Sequence, residues 1–162
     1  MPCIIQVIGK KDTGKTSAIE KAVKILKENG YTVAVVKHSH HEIDLQGKDT
    51  YKFWNAGSDI VTFNNSKCVL FYKCNPDLIH FLPVDVVLIE GYKELDLGKK
   101  IEISNPNQVD EVSKRIIEET KNCKTKGKII VDGKKIECND TITLLLYNLL
   151  RYLNIREVKI ED

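Results

Sequence analysis

Gly9-Lys10-Lys11-Asp12-Thr13-Gly14-Lys15-Thr16 decides how this chain is read. The octapeptide fits G-x-x-x-x-G-K-[ST] at each fixed position. Glycine at 9 and 14 lets the backbone turn tightly, so that successive N–H groups point inward toward phosphate oxygens. Lys15 sets an ammonium beside the β- and γ-phosphates, and Thr16 offers a hydroxyl to Mg²⁺. A helix opening at this point adds the partial positive charge of its N-terminus. Gly9, Lys10, Lys11, Asp12, Thr13, Gly14, Lys15 and Thr16, with Ser17 after them, are the candidate phosphate-binding residues.

Eight-residue motifs match by chance, and the flanking sequence removes most of that risk. Ile4–Ile8 is a short apolar run that reads as a buried strand. After the loop, Ile19, Ala22, Val23 and Ile25-Leu26 fall on one helix face, with lysines and glutamates opposite. Asn29-Gly30 stops that helix, and Thr32–Val36 reads as a second buried strand. Strand, glycine loop, helix, strand is a βαβ unit, which calls for a parallel sheet with a right-handed crossover.

A phosphate loop of this kind works with an acidic residue at the end of a buried strand, where it orients Mg²⁺. Val84–Ile89 is such a strand, and Glu90 follows at its carboxyl end, the edge at which open α/β sheets bind ligands. Asp85 is the rival, but it begins the strand and would lie at the far edge. Lys15 and Glu90 are thus the candidate catalytic groups, and Thr16 and Glu90 the candidate Mg²⁺ ligands. The cluster Lys37-His38-Ser39-His40-His41 follows the second strand and falls on the same edge. His38, His40 and His41 read as contacts to an anionic substrate or phosphate, as metal ligands, or as a solvated loop. Lys48 and Asp49, in Gly47-Lys48-Asp49-Thr50, are further candidates for the site, with a plain helix start as the alternative. The Asn-Lys-x-Asp pattern that reads guanine is absent, so these residues alone leave GTP and ATP undecided.

The remaining pattern is of short elements. Asp49–Asn55 reads as a helix closed by Gly57, with Phe53 and Trp54 as packing residues. Ile60–Phe63 and Val69–Tyr72 read as strands around a turn at Asn64-Asn65-Ser66-Lys67, and Pro76–Leu82 as a helical turn that holds a structural His80. Lys100–Ile103 reads as a strand and Asn107–Asn122 as a helix. Ile129–Val131 and Lys134–Cys138 flank Asp132-Gly133, a strong hairpin signal, before a last helix at Thr141–Leu153 capped by Asn139 or Asp140.

At 162 residues the chain is read as one domain, with 125–162 as a C-terminal hairpin-helix appendage. Hydrophobic residues at 42% and a net charge of only +2 argue against disorder and disfavour a dedicated nucleic-acid binder. No apolar run approaches the ~18–20 residues of a membrane span. Met1-Pro2-Cys3-Ile4-Ile5 lacks a secretory pattern. Five widely spaced cysteines without Cys-x-x-Cys read as reduced thiols in a cytoplasmic protein.

Taken in order, the loop Gly9–Thr16, Lys37-His38-Ser39-His40-His41, Gly47-Lys48-Asp49-Thr50, Ala56-Gly57, Val86–Gly91 with Tyr92-Lys93, and Lys100-Ile101-Glu102-Ile103 resemble the molybdopterin-guanine dinucleotide biosynthesis protein B (MobB) family over about residues 3–104. The resemblance implies an α/β, three-layer P-loop NTPase fold with a mostly parallel twisted sheet, here carrying a C-terminal β-hairpin plus helix. It implies a GTP-binding homodimer with weak Mg²⁺-dependent hydrolysis. Such a protein assists the nucleotidyltransferase that joins GMP to molybdopterin, with molybdopterin as a bound substrate. It places the phosphates on Gly9–Thr16, Mg²⁺ on Thr16 and Glu90, and lines the site with His38–His41 and Gly47–Asp49. The family often has an Arg soon after the Lys-Ile-Glu strand, where this chain has Ser104-Asn105-Pro106. The competing reading is a P-loop small-molecule kinase using ATP. It predicts an arginine-rich lid, and the chain's three arginines, Arg115, Arg151 and Arg156, all lie beyond residue 110.

Overall fold

A computed structural model of the chain describes residues 1–39, 49–73, 75–125, 127–156 and 158. In chain order the elements are β1 (Cys3–Ile8), α1 (Lys15–Glu28), β2 (Val33–Lys37), α2 (Asp49–Asn55), β3 (Ile60–Asn64), β4 (Cys68–Tyr72), a 3₁₀ segment (Pro76–Phe81), β5 (Val86–Glu90), β6 (Lys99–Glu102), a 3₁₀ turn (Pro106–Gln108), α3 (Val109–Lys121), β7 (Lys128–Val131), β8 (Lys134–Glu137) and α4 (Thr141–Tyr152). They fall into two compact units, Met1–His38 with Asp77–Asp162, and Ser39–Pro76.

The first unit is organised by a four-stranded sheet in the order β2-β5-β1-β6, parallel throughout. β1 and β2 are consecutive strands of the βαβ unit but do not pair. β5 enters between them, with Glu90 level with Val7 of β1 on one side and with Lys37 of β2 on the other. Val86, Val87, Leu88 and Ile89 are fully buried, which is why the sequence there runs apolar without alternation. On one face Ile5, Val7, Val86, Leu88, Ile101 and Ile103 pack against Ala18, Ala22 and Leu26 of α1 and Val112 and Ile116 of α3. Val87 and Ile89, on the other face, are covered by Ile79, Leu82, Val84, Tyr92 and Leu97.

α1 ends where Asn29-Gly30 predicts. Gly30 has φ 80°, its N–H donates to the Lys27 carbonyl, and the Tyr31 N–H reaches back to the Leu26 carbonyl, a Schellman closure. β5 begins at Val86, two residues later than the apolar pattern suggests. Asp85 is taken up by Thr32: its Oδ2 accepts from the Thr32 N–H at 2.9 Å and from the Thr32 hydroxyl at 2.8 Å. That fully buried carboxylate staples the amino ends of β2 and β5, opposite the edge that carries the glycine loop.

The reading of all five cysteines as reduced thiols is corrected by a Cys3–Cys123 disulfide, with Cα atoms 5.7 Å apart and 120 positions between them in sequence. Cys3 opens β1 and Cys123 follows α3, and packing of α3 on the sheet face brings them together. Among the described residues Cys68 is exposed and free, and Cys138 buried and free.

The C-terminal hairpin pairs β7 with β8 around Asp132 (φ 49°) and Gly133 (φ 76°), the left-handed pair that a tight hairpin needs. Ile129, Cys138 and Leu150 form its small core with α4. Asp140 caps α4 in a capping box with Thr143. Asn148 of α4 donates to the Leu82 carbonyl at 2.9 Å, which ties the appendage to the main unit.

The second unit contains α2 and an antiparallel hairpin, β3 with β4. Its turn is held by Asn65, whose Oδ1 accepts from the Ser66 N–H at 2.8 Å. Val61 is buried, but Ile60, Phe63, Val69, Leu70 and Tyr72 are exposed. Phe53 and Trp54, read as packing residues, are 58% and 37% exposed. No helix among the described residues is long and apolar enough to cross a membrane.

Candidate functional site

The carboxyl edge of the sheet carries the loop from Gly9 to Gly14, strung between β1 and the first turn of α1. Its two fixed glycines are required sterically. A Cβ on Gly9 would run into the Ile103 carbonyl oxygen behind the loop. Gly14 caps α1 at φ 92°, and a Cβ there would come within 2.7 Å of Val109 Cγ2. Asp12 also takes a left-handed conformation, at φ 61°, one that Asp tolerates better than most residues. The Thr13 hydroxyl donates to the Lys10 carbonyl at 2.9 Å, and Lys15 Nζ donates to the same carbonyl. These bonds curl the loop around its own axis and hold the Lys15 ammonium over it. α1 opens without a side-chain cap, so its first N–H groups remain available to an anion. Lys10, Lys11, Asp12, Thr16 and Ser17 are exposed, and Thr13 is buried beneath them.

Glu90 faces this loop. Its Oε2 accepts a 2.8 Å hydrogen bond from the Thr16 hydroxyl, and Lys37 Nζ stands 3.8 Å from its Oε1. The Glu90 side chain is only 14% exposed, against 62% for Lys37. Thr16, Lys37 and Glu90 come from α1, β2 and β5, so the strand order β2-β5-β1 is what assembles them. Asp85, at the other end of β5, takes no part.

The backbone around Glu90 is pinned from both sides. Its carbonyl accepts from the His38 N–H at 2.9 Å, and the Gly91 N–H donates to the Val7 carbonyl at 3.2 Å. Gly91 has φ 99°, and a Cβ on it would approach His38 Cβ to 3.1 Å. The His38 ring lies 4.2 Å from the Tyr92 ring, so the turns after β2 and β5 are joined at this edge. Of the other residues singled out from sequence, His40, His41 and Lys48 lie outside the described residues. Asp49 belongs to the second unit, where it opens α2 and pairs with Lys52 at 3.0 Å.

Among the described residues no three His, Cys, Asp or Glu side chains gather to hold a metal by themselves. Mg²⁺ asks for less, because it is usually bound through one or two protein oxygens plus substrate phosphates. The adjoining Thr16 hydroxyl and Glu90 carboxylate beside a phosphate-type loop suit that donor set. Lys37 stood at the head of the cluster placed on this edge but without a role of its own, and Gln6 beneath the following turn was not singled out. A lone glutamine inside the buried run Cys3-Ile4-Ile5-Gln6-Val7-Ile8 was the available signal for the second.

A model of the family described as "Molybdopterin guanine dinucleotide synthesis protein B" matches residues 4–124. A protein of Methanocaldococcus jannaschii, provisionally named a molybdopterin-guanine dinucleotide biosynthesis adapter protein, is 40% identical over 99 residues, covering 56% of this chain and 41% of its own length. The Haemophilus influenzae molybdopterin-guanine dinucleotide biosynthesis adapter protein is 30% identical over 107 residues, covering 59% of this chain and 60% of its own. Both matches thus span less than two thirds of the relative. The crystal structure of a MobB protein homologue from Bacillus stearothermophilus superposes with a TM-score of 0.54 at 19% identity, covering 74% of this chain and 99% of that one. At that identity the likeness establishes the shared fold.

Proposed function

The chain belongs to the molybdopterin guanine dinucleotide synthesis protein B family, and from that membership we propose that it is a nucleotide-binding adapter of molybdopterin guanine dinucleotide formation, taking GTP with Mg²⁺ on Gly9–Thr16 and hydrolysing it slowly. The observation that carries the reading is the Thr16–Glu90 hydrogen bond set beside the glycine loop. The backbone N–H groups of Gly9–Gly14 and of the first turn of α1 bind the phosphate oxygens. Lys15 neutralises charge on the terminal phosphates. Thr16 and Glu90 hold Mg²⁺, which supplies charge neutralisation on the phosphoryl oxygens. Glu90, held by Thr16 and Lys37, is also read as the base for the attacking water.

The partners that follow from this reading are the nucleotidyltransferase that joins GMP to molybdopterin, molybdopterin itself, and a second copy of the chain, in the cytoplasm. The exposed apolar residues of the β3–β4 unit, Ile60, Phe63, Val69, Leu70 and Tyr72, support self-association, because a surface of that character is ordinarily covered. His38, with His40 and His41 beyond it in sequence, is read as a contact to an anionic substrate, and Lys48 and Asp49 are carried as further candidates from the family motif. Calorimetric titration with GTP and ATP in Mg²⁺, each followed by molybdopterin, tests the reading. GTP preference with cofactor binding supports it. ATP preference without cofactor affinity favours a small-molecule kinase instead.

A further inference from the structure

Gln6 is fully buried in the middle of β1. Its Nε2 donates to the carbonyls of Tyr92 and Leu95 at 3.2 and 3.3 Å. Its Oε1 accepts from the N–H groups of Leu97 and Gly98 at 2.8 and 3.1 Å. Both donor protons and both acceptor sites of the amide are therefore spent on one segment, residues 92–98, which leads out of the Glu90 turn. That turn needs holding. Gly91 and Tyr92 both take left-handed conformations, at φ 99° and 51°, and for a tyrosine this is an unfavourable region. The segment also runs hard against β1, since a Cβ on Gly98 would collide with the Ile4 carbonyl oxygen.

We infer that Gln6 is the positioning residue for Glu90. By locking the backbone of 92–98, it fixes the strained Gly91-Tyr92 exit and so the direction in which the Glu90 carboxylate meets Thr16. The inference rests on the nucleotide reading above and adds a residue to it. Gln6 touches neither phosphate nor metal. Its effect passes through Glu90, so it changes Mg²⁺-dependent binding and leaves the phosphate loop's own affinity alone.

Gln6→Met keeps length and apolar fit and removes all four hydrogen bonds; Gln6→Glu keeps the two accepted bonds and loses the two donated ones. GTP binding is measured by calorimetry in EDTA and across a Mg²⁺ series, for each variant alone and combined with Glu90→Gln. The expected result is EDTA affinity within about twofold of wild type and a half-saturating Mg²⁺ concentration raised about tenfold, the scale of losing hydrogen bonds that orient a charged ligand. The Gln6 substitution has no further effect once Glu90 is Gln. Equal losses with and without Mg²⁺, or full additivity with Glu90→Gln, overturn the inference. Should Gln6→Met fail to fold, Gln6→Glu goes through the same cycle, and wild-type hydrogen exchange gives an independent reading. Protected Leu97 and Gly98 amides support the clamp, and freely exchanging ones overturn it. Wild-type protein that binds GTP without regard to Mg²⁺ overturns the nucleotide–metal reading itself, and the Gln6 role with it.

Discussion

The Thr16 hydroxyl donates to Glu90 Oε2 at 2.8 Å although the two residues stand 74 positions apart in the chain. One lies in the first turn of the helix that follows β1, and the other closes β5. The bond exists because β5 pairs directly with β1, with Glu90 level with Val7. It sets a hydroxyl and a carboxylate side by side next to the glycine loop.

Removing the charge at that position while keeping its shape tests the proposed metal role. Glu90→Gln is expected to weaken GTP binding in Mg²⁺ by about tenfold or more, since a hydrogen bond to a charged group contributes roughly 1.5–3 kcal/mol. Binding in EDTA stays near wild type. Thr16→Ala follows the same pattern, and calorimetry at both metal conditions checks the pair.

Lys15→Ala removes the ammonium held over the loop, whose contact is the Lys10 carbonyl at the surface. GTP affinity is expected to fall below detection while the urea unfolding midpoint stays within experimental scatter. Unchanged GTP affinity in this variant would sink the phosphate-loop assignment.

Two left-handed glycines separate backbone strain from steric conflict. Gly30→Ala meets no atom within 4 Å and carries only the left-handed penalty, about 1–2 kcal/mol. Gly14→Ala adds a Cβ at 2.7 Å from Val109 Cγ2 and displaces α3 from the loop. Urea denaturation should rank Gly14→Ala as the more destabilised, and only Gly14→Ala should also lose GTP binding.

The Cys3–Cys123 disulfide joins β1 to the end of α3 across 120 positions. A loop of that order is expected to contribute about 2–4 kcal/mol through the unfolded chain. Thiol titration of denatured protein before and after reduction should show two additional reactive sulfurs. Cys123→Ser should lower the unfolding midpoint under non-reducing conditions and leave it unchanged under reducing ones. Equal thiol counts in both states would refute the pairing.

The cap of α4 predicts an acid-sensitive contribution. Hydrogen bonds from the Thr143 hydroxyl, then from the Thr143 and Ile142 N–H groups, lower the Asp140 pKa below its ordinary value. A folded pKa below the unfolded one stabilises the native state above the ordinary carboxylate range. That contribution disappears as pH falls through the lowered value. Asp140→Asn should therefore be less stable than wild type at neutral pH, with the difference closing as both are titrated into acid in parallel urea series.

Much of this molecule is local enough to be read along the chain. Asp49–Asn55 is a helix as its pattern predicts, and Asp132-Gly133 turns the hairpin because a tight turn there needs two left-handed residues. Phe53 and Trp54 show the limit, since an aromatic residue in sequence does not say whether its burial lies within the chain or against something else. Burial of Gln6 is a similar case. The glutamine is visible in an apolar strand, but its four partners at residues 92–98 are not.

By itself the sequence determined the glycine loop Gly9–Gly14, the βαβ unit around it and the carboxylate at the end of the third buried strand. Each of these follows from steric and periodic rules acting over a few residues. Only the tertiary structure decided that β5 lies between β1 and β2, that Thr16 and Lys37 both meet Glu90, that Gln6 clamps the turn behind it, and that Cys3 finds Cys123. Those pairings depend on strand order and register, which are settled by how all the apolar faces pack at once rather than by any short stretch of chain.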